Sequence, residues 1–321
     1  MPAKVFTIGT FNLENLDDSS ELWPVRRNVL RSMLLRMDAS LLFLQEVNSL
    51  SALNDLVKGT AYEEYEHACT VKTDGAPYAR RNLVTLSRYP IQEEHQYFHE
   101  FTPAPVWRLA TAQPPLLEAQ KVEWERPVLH CKVMLGGGRV LHAINLHLKS
   151  KNPTDIPGQK SSAYAWLTHE GWAEGYFLSS VKRIGQALEV RRLLEHLFKQ
   201  DFQALIAVGG DFNSDAADVP FKTIVGSVEE TNNPGLRSTV MVPCEYNVPQ
   251  DKRYSLIYRG KGEMIDHIIV SQAFYPYWVE TVVFNELLPD KSVAFATAEK
   301  FPESDHAPVV ARFSLPKEWL P

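Results

Sequence analysis

The stretch ALIAVGGDFNS, residues 204–214, decides how this sequence folds and where its chemistry is expected. The uninterrupted apolar run from Ala204 to Val208 is typical of a β-strand that is buried on both faces. Two glycines follow the run, and then come the polar residues Asp211 and Asn213. A buried strand that ends on such side chains predicts a packed sheet with functional groups at its rim.

The same pattern recurs along the chain. Seven further segments are rich in apolar, β-branched or aromatic residues over strand-like lengths: Val5–Leu13, Ser40–Gln45, Asn82–Ser87, Val128–Leu135, Val140–Leu146, Met264–Val270 and Val309–Ser314. Two segments, Trp23–Met37 and Ser179–Phe198, repeat apolar residues at helical spacing. Their predicted core-facing residues are Val25, Val29, Leu30, Met33, Leu34 and Met37, and then Val181, Ile184, Leu188, Val190, Leu194 and Leu197. Many strands with few helices between them predict an α/β (α+β) protein with two sheets packed face to face and helices outside.

Two long connections separate these elements. Phe101–Glu125 carries four prolines and reads as an irregular excursion, and a second connection runs from Lys151 to about Gly175. Aromatic residues in these loops can either stack unpaired bases or form small satellite cores; they are Trp107, Tyr164, Trp166 and Trp172. Two local basic clusters, at residues 72–91 and 251–262, can either hold a phosphorylated substrate or remain solvated loop charges.

Composition places the chain among globular proteins. Its 321 residues are 45% apolar and 22% charged, and we expect a single domain over residues 1–321. No segment approaches the ~20 apolar residues of a membrane span or resembles a secretory signal, so a cytoplasmic location is expected. The net charge of −6 argues against a protein that coats duplex DNA. Nothing indicates a protein partner, and a monomer is expected.

Cysteine usage excludes two further classes. The three cysteines, Cys69, Cys131 and Cys244, stand alone without paired spacing. An odd and unpaired count argues against a disulfide framework and against a zinc site.

Polar residues cluster at the ends of the predicted strands. The carboxylates are Glu46, Asp211, Asp266 and Asp305, the amides are Asn12 and Asn213, and the imidazoles are His147 and His306. Crowded carboxylates repel one another unless a cation lies among them. Oxygen-rich ligands without thiolates favour Mg²⁺ or Mn²⁺. Histidines beside a metal-held phosphate can act as general base and acid, so the cluster predicts metal-assisted hydrolysis of a phosphate ester.

These residues also carry a family resemblance. The segments TFNLENL, LQEV, RNLVTLSRYPI, RPVLHCKV, INLHLKS, GGDFNS, MIDHIIV and SDHAPV stand in order between residues 10 and 309. Together they resemble the endonuclease/exonuclease/phosphatase superfamily, which includes pancreatic-type deoxyribonucleases, abasic-site endonucleases, neutral sphingomyelinases and inositol polyphosphate 5-phosphatases. The resemblance implies a deoxyribonuclease I-like fold, a four-layered αββα sandwich of two mixed β-sheets with outer helices.

The resemblance also implies roles for individual residues. The implied metal ligands are Glu46, Asn12, Asp211, Asn213 and Asp305. The implied catalytic residues are His306, Asp266, Asp211, Asn213 and His147. In this scheme His306 is the general base, oriented by Asp266, and Asp211 with Asn213 orients the attacking water. Asp211 is the rival to His306 for the proton of that water.

One position departs from the deoxyribonuclease pattern. A glutamate that pairs with the second histidine in those enzymes is replaced here by Arg126, which precedes Pro127. An arginine there favours a phosphate clamp and puts the role of His147 as a general acid in doubt. The expected phosphate-binding residues are Asn12, Arg126, Asn145 and Lys149.

The function expected from the sequence is a Mg²⁺- or Mn²⁺-dependent phosphodiesterase, most simply a nuclease acting on nucleic acid. The alternative is a phosphatase or phosphodiesterase acting on a small-molecule or lipid headgroup phosphate, such as an inositol phosphate or sphingomyelin. The long loops decide between the two, and the sequence does not give their shape. His267 follows Asp266 on the same strand and should point away from it, so a structural role is expected for it.

Overall fold

Two six-stranded sheets form the centre of the computed structural model, which describes residues 3–297 and 300–320. In sheet order, the first sheet comprises β15 (Trp278–Val283), β16 (Val309–Pro316), β1 (Ala3–Leu16), β2 (Leu41–Val47), β4 (Asn82–Ser87) and β3 (Glu66–Cys69). The second comprises β11 (Val242–Pro243), β14 (Asp266–Val270), β10 (Leu205–Asp211), β9 (Val140–His147), β8 (Val128–Met134) and β5 (Ile91–Tyr97). Two small ribbons lie outside the sheets: β6 (Val106–Trp107) with β7 (Gln120–Lys121), and β12 (Leu256–Tyr258) with β13 (Lys261–Glu263).

The helices lie outside this pair of sheets. They are α1 (Trp23–Met37), α2 (Leu50–Val57), α3 (His169–Gln200), α4 (Val219–Val225), α5 (Val228–Thr231) and α6 (Lys291–Thr297). Helices α1 and α2 pack on the outer face of the first sheet, through side chains such as Leu30 and Leu34. Helices α3 and α4 cover the second sheet, through side chains such as Val190 and Phe221. None of the helices within the described residues is long and apolar enough to cross a membrane.

A third apolar core fills the space between the two sheets. Phe6, Phe43 and Phe313 of the first sheet meet Ala143 and Ala207 of the second in one buried cluster. The molecule therefore has the expected four layers, helix, sheet, sheet and helix, and the predicted αββα sandwich is confirmed. All seven residues of β10 are buried, as its continuous apolar run requires.

Each sheet has a parallel pair at its middle. Strand β1 runs parallel to β2, and β9 runs parallel to β10, while β16 and β14 run antiparallel beside them. The carboxyl ends of the four parallel strands meet at one rim of the sandwich. There Asn12, just before the register shift of β1, donates a hydrogen bond to Asp211 at the end of β10.

Several details differ from the sequence-based expectations. Helix α3 begins at His169, within the segment expected to be a loop, and Thr168 caps it by accepting from the Gly171 amide. Val25 and Leu188, both expected to face the core, are exposed. Strand β14 begins at Asp266, so that the aspartate lies at its first position.

Some elements were not predicted. Strand β5 is an edge strand with mostly exposed polar residues, which conceal it from an apolar pattern. Strand β15 and helix α2 are the other main additions. Cys69, Cys131 and Cys244 are free cysteines.

Candidate active site

The candidate site lies where the space between the sheets changes from apolar to polar. Along β9, Leu141 and Ala143 belong to the core between the sheets, and two residues further along, on the same face, stand Asn145 and then His147. Asp211 is the register partner of His147 on one side and of Asp266 on the other. In-register neighbours point to the same face, so strand pairing alone brings these three side chains together.

Asp211 is the hub of the site. One of its carboxylate oxygens, Oδ2, accepts from Asn12 Nδ2 at 3.0 Å and from Asn213 Nδ2 at 3.1 Å. His147 Nε2 lies 3.2 Å from the same oxygen, and His306 Nε2 lies 3.9 Å from it. Burial opposes ionisation, but His147 and His306 outweigh it and hold the pKa of Asp211 below its usual range. Asp211 is therefore an anion that both sheets help to place.

His306 is held by a buried aspartate. Its Nδ1 lies 2.7 Å from Asp266 Oδ2, and the same oxygen accepts from the Ser255 hydroxyl at 2.7 Å. This arrangement directs Nε2 of His306 toward Asp211 and leaves it for chemistry. Burial lowers the pKa of His306, but the carboxylates of Asp266, Asp305 and Asp211 raise it to about 10.

Glu46 reaches the site through an unusual backbone conformation. Its φ of 58° lies in the left-handed region, at a bulge where β2 loses register with its neighbours. Residues in this region carry strain and are enriched at functional sites. The bulge leaves Gln45 pointing between the sheets and lets Glu46 turn to the rim, where its Oε1 lies 3.8 Å from His147 Nε2.

The loop before β16 supplies the last acidic group. Ser304 donates to the backbone carbonyl of Asn12 at 2.7 Å and so ties this loop to β1. Asp305 Oδ1 lies 3.8 Å from His306 Nε2, while its amide donates to Glu14 Oε2 at 3.1 Å. Burial and the nearby Asp305 raise the pKa of Glu14 to about 7.

Arg126 points at His147. Its Nη1 lies 3.0 Å from His147 Nδ1, and its Nη2 donates to the Leu148 carbonyl. Nη1 also lies 3.2 Å from His147 Nε2, the ring nitrogen that faces Asp211 Oδ2. Burial, and then Arg126, holds the pKa of His147 below its usual range. Nη1 and Nη2 contact His147 and backbone, while Nε has no hydrogen-bond partner among the described residues, and the expected phosphate clamp of Arg126 stays a prediction.

Asn145 does not reach the rim. Its side chain is fully buried, donates to the Leu44 and Val84 carbonyls, and accepts from Gln45 Nε2 at 2.8 Å. All of its hydrogen-bonding groups are therefore taken by protein between the sheets. Asn145 lies one inward-facing position deeper than His147, and the expected phosphate contact from it stays a prediction.

Lys149 is turned into its own loop. Its ammonium donates to the Ser150 hydroxyl at 3.2 Å and to the Asn152 carbonyl at 3.1 Å. Burial lowers the pKa of Lys149 to about 8. These contacts order the segment that follows His147, and the expected phosphate contact of Lys149 stays a prediction.

His267, for which a structural role is expected from the sequence, points away from the site. Its Nδ1 lies 2.5 Å from Glu245 Oε1 and its Nε2 lies 2.9 Å from the Ser214 carbonyl, all among buried groups. Burial disfavours the imidazolium, but Glu245 outweighs it and raises the pKa of His267. The pair braces the loop that carries Asn213.

Comparison with known proteins assigns the chain to a family. The model of the endonuclease/exonuclease/phosphatase family matches residues 9–306. The chain belongs to the endonuclease/exonuclease/phosphatase family. Family membership supports a hydrolase that acts on phosphoesters. A search of curated proteins finds no match.

Solved structures of this family share the fold. An endonuclease/exonuclease/phosphatase family protein from Bacteroides thetaiotaomicron is 16% identical, with a TM-score of 0.59 over 98% of this chain and 97% of its own. Truncated TDP2 from Caenorhabditis elegans is 14% identical, with a TM-score of 0.57 over 97% and 98%. The mannosyl-6-phosphatase Bt3783 of Bacteroides thetaiotaomicron VPI-5482 is 17% identical, with a TM-score of 0.56 over 95% and 98%. At these identities the likeness concerns the fold.

The family is generally metal-dependent, and the donor set of this chain fits a divalent cation. Glu46 Oε1 and Asp211 Oδ2 lie 3.8 and 3.2 Å from His147 Nε2, and Asp305 Oδ1 lies 3.8 Å from His306 Nε2. These oxygens are hard ligands, which suit Mg²⁺ or Mn²⁺. Ligand atoms of Asp211, Asp266 and His306 also lie within 4.8 Å of one another, but Asp266 and His306 are already bonded to each other.

Sequence reasoning missed four residues that shape the site. Ser255 holds Asp266, and Gln45 anchors Asn145. Glu14 and Lys291 both contact Asp305. Gln45 and Glu14 lie inside the segments LQEV and TFNLENL, so their position next to expected site residues could have indicated them. No sequence pattern marks Ser255 or Lys291.

Proposed function

We propose that this protein is a divalent-metal-dependent phosphodiesterase, and specifically a nuclease. The observation that carries the proposal is the convergence of groups from both sheets on the Asp211 carboxylate. Asn12, Asn213 and His147 all lie within hydrogen-bonding distance of one of its oxygens, with the Asp266–His306 pair beside it. Such a cluster combines an anion to orient water with a cationic donor, His306, for a phosphate.

Asp211 and His306 divide the work in this proposal. Asp211 is ionised, and we assign it to orient the attacking water and take its proton as the new phosphorus–oxygen bond forms. The bond from phosphorus to the leaving alcohol oxygen breaks in the same displacement, and solvent protonates that oxygen. His306 is protonated, because its pKa is raised to about 10, and its free Nε2–H is assigned to a phosphate oxygen. Asp266 keeps the ring in place and stabilises its positive form. The assignment favours Asp211 over His306 as the base.

The remaining groups hold the phosphate and a cation. Asn12 and Asn213 present amide groups at the rim of the two sheets. Glu46, Asp211 and Asp305 would hold Mg²⁺ or Mn²⁺, with the amide oxygens of Asn12 and Asn213 as further ligands. When bound, the cation would supply positive charge to the phosphate as negative charge develops on it. His147 is neutral in this scheme and donates from Nε2 rather than acting as a general acid.

An aromatic face on α3 supports a nucleic-acid substrate. Trp172 packs edge-on against Tyr176 with ring centroids 4.8 Å apart, and Trp107 packs on Phe177 at 4.5 Å. All four rings are more than a third exposed. Further along the same helix, Arg183 donates to the carbonyls of residues 149 and 150, next to the site. Exposed rings that lead to a phosphoesterase site suit the stacking of unpaired bases.

A substrate panel tests the proposal. The panel comprises supercoiled plasmid, single-stranded DNA, RNA, inositol phosphates, sphingomyelin and bis-p-nitrophenyl phosphate, each with Mg²⁺, Mn²⁺ or a chelator. We expect metal-dependent cleavage of a polynucleotide that His306→Ala abolishes. Hydrolysis of only the small esters would reject the nuclease and make the protein a phosphatase or small-molecule phosphodiesterase.

A binding experiment tests the aromatic face separately. Trp172→Ala should weaken the binding of a labelled single-stranded oligonucleotide severalfold. Tyr275→Ala is the matched control, since Tyr275 is similarly exposed. It follows β14 at the end of that strand away from Asp266 and the site. Equal affinities of the two variants would remove α3 from the substrate path.

A further inference from the structure

A lysine from outside the recognised motifs lies in the acidic cluster. Lys291 is the first residue of α6, and its ammonium forms an ion pair with Oδ2 of Asp305. The side chain of Asp305 is only 9% exposed, and its other oxygen lies 3.8 Å from His306 Nε2. One oxygen of a proposed metal ligand is therefore engaged by a cation of the protein itself.

Two more carboxylates act on the same ammonium. Lys291 lies within electrostatic range of Glu46 and Glu14 as well as Asp305. Glu14 is joined to Asp305 by the hydrogen bond from the Asp305 amide. The lysine is thus placed among the acidic groups that would attract a divalent cation, and two cations so close repel each other.

The position of Lys291 is built into the fold. The preceding residue, Asp290, accepts from the backbone amides of Arg259 at 3.1 Å and Gly260 at 2.7 Å, in the turn between β12 and β13. It also accepts from the Ser292 amide at 2.9 Å, which fixes the first turn of α6. Asp290 therefore clasps the start of the helix to the β12–β13 ribbon and aims Lys291 at Asp305.

We propose that Lys291 is a positioning residue that sets the affinity of this site for its divalent cation. The inference rests on the proposed metal site of Glu46, Asp211 and Asp305. The ammonium engages Asp305 and adds a like charge beside the cation, so a metal ion must share or displace this contact. A neutral side chain at position 291 would leave Asp305 wholly to the metal.

Direct Mn²⁺ binding tests the inference without reference to activity. Free Mn²⁺ would be measured by electron paramagnetic resonance during titration of the wild-type protein, Lys291→Met and Lys291→Arg. We expect Lys291→Met to bind Mn²⁺ at least about tenfold more tightly. The repulsion between the lysine ammonium and a cation bound nearby is lost, and such a repulsion near a protein surface exceeds the free energy of a tenfold change in affinity. Lys291→Arg keeps the charge and should bind like the wild type. Equal or weaker binding by Lys291→Met would overturn the proposal.

Two further variants guard the interpretation. Asp290→Ala frees the start of α6 without touching the acidic cluster, and it should shift affinity in the same direction as Lys291→Met. The double variant Lys291→Met/Glu46→Ala should lose the tight binding, and tight binding that survives in it would place the effect elsewhere and overturn the inference. If neither the wild type nor Lys291→Met binds Mn²⁺, both the proposed metal site and the role of Lys291 are rejected. Circular dichroism would check the fold of every variant.

Discussion

Nη1 of Arg126 lies 3.0 Å from Nδ1 of His147, and both side chains are buried. The contact places a permanent cation against an imidazole that also faces the Asp211 carboxylate. Burial, and then Arg126, holds the pKa of His147 below its usual range, which argues against a general-acid role. The departure from the deoxyribonuclease pattern at one position thus changes the protonation state of its neighbour.

Replacing Arg126 should therefore change how His147 titrates. We expect Arg126→Gln to raise the pKa of His147, because the neighbouring positive charge is lost while Asp211 remains. Nuclear magnetic resonance titration of the histidine ring would measure it, with His147→Gln to assign the signal. An unmoved titration would mean that burial alone keeps His147 neutral.

Asp211→Asn should abolish turnover without unfolding the protein. The amide cannot take a proton from water, and one of its groups would oppose the Asn12 and Asn213 donors. We expect a loss of at least about a thousandfold in kcat, the scale of a group that acts on the transition state. Asp215→Asn, in the same loop but outside the cluster, is the matched control. Equal rates in the two variants would remove Asp211 from the mechanism.

Asn145→Ala tests whether Asn145 stabilises the fold or binds substrate. The substitution leaves the Leu44 and Val84 carbonyls without their side-chain donor. Each unsatisfied buried group costs about 1–3 kcal/mol, so we expect the loss of both contacts to lower the free energy of unfolding by about 2–6 kcal/mol. KM for the preferred substrate should be unchanged. A raised KM with unchanged stability would support the phosphate contact that the sequence suggested.

Stability should fall in mild acid because of a buried histidine pair. His130 Nε2 lies 2.9 Å from His142 Nδ1, and burial lowers the pKa of His130 to about 3 and that of His142 to about 4. The unfolded chain binds these protons near pH 6.5 whereas the folded protein does not, so stability is lost as pH falls below about 6.5.

Urea denaturation between pH 6.5 and 4.5 measures this loss. His130→Gln should reduce the slope of unfolding free energy against pH by up to about 1.4 kcal/mol per pH unit, the contribution of one proton. His67→Gln, at an exposed histidine on β3, is the control. A slope that is the same in His130→Gln and the wild type would assign the acid sensitivity to other groups.

The central strands were predictable from sequence because burial on both faces requires continuous apolar runs, as in β2 and β10. The edge strand β5 was not, since a strand with one solvated face and a polar sequence carries no such run. The first turns of α3 were missed because Gly171 and Gly175 interrupt the helical pattern there. Both glycines lie where a larger side chain would collide with Gln159 or Thr154.

The candidate site was predictable where motif and strand end coincide. His147, Asp211, Asp266 and His306 meet as expected, because strand register fixes three of them. Depth was not predictable: Asn145 and His147 share a strand face, and only the packing of the opposite sheet determines which of them reaches the rim. Lys291 lies beyond sequence reasoning for another reason, since its position depends on a clasp between segments about thirty residues apart.

The Gln45–Asn145 hydrogen bond joins the two sheets one layer below His147 and Asp211. Gly209 lies nearby against the Phe43 ring, where any side chain would collide, so the sheets approach closely at this level. These contacts hold the two sheets together directly beneath the site. Half of the site belongs to each sheet. The spacing of the sheets therefore sets the distance between side chains such as Asn12 and Asp211. Substitutions in the loops above the rim leave this spacing unchanged, whereas a side chain added at Gly209 would alter it.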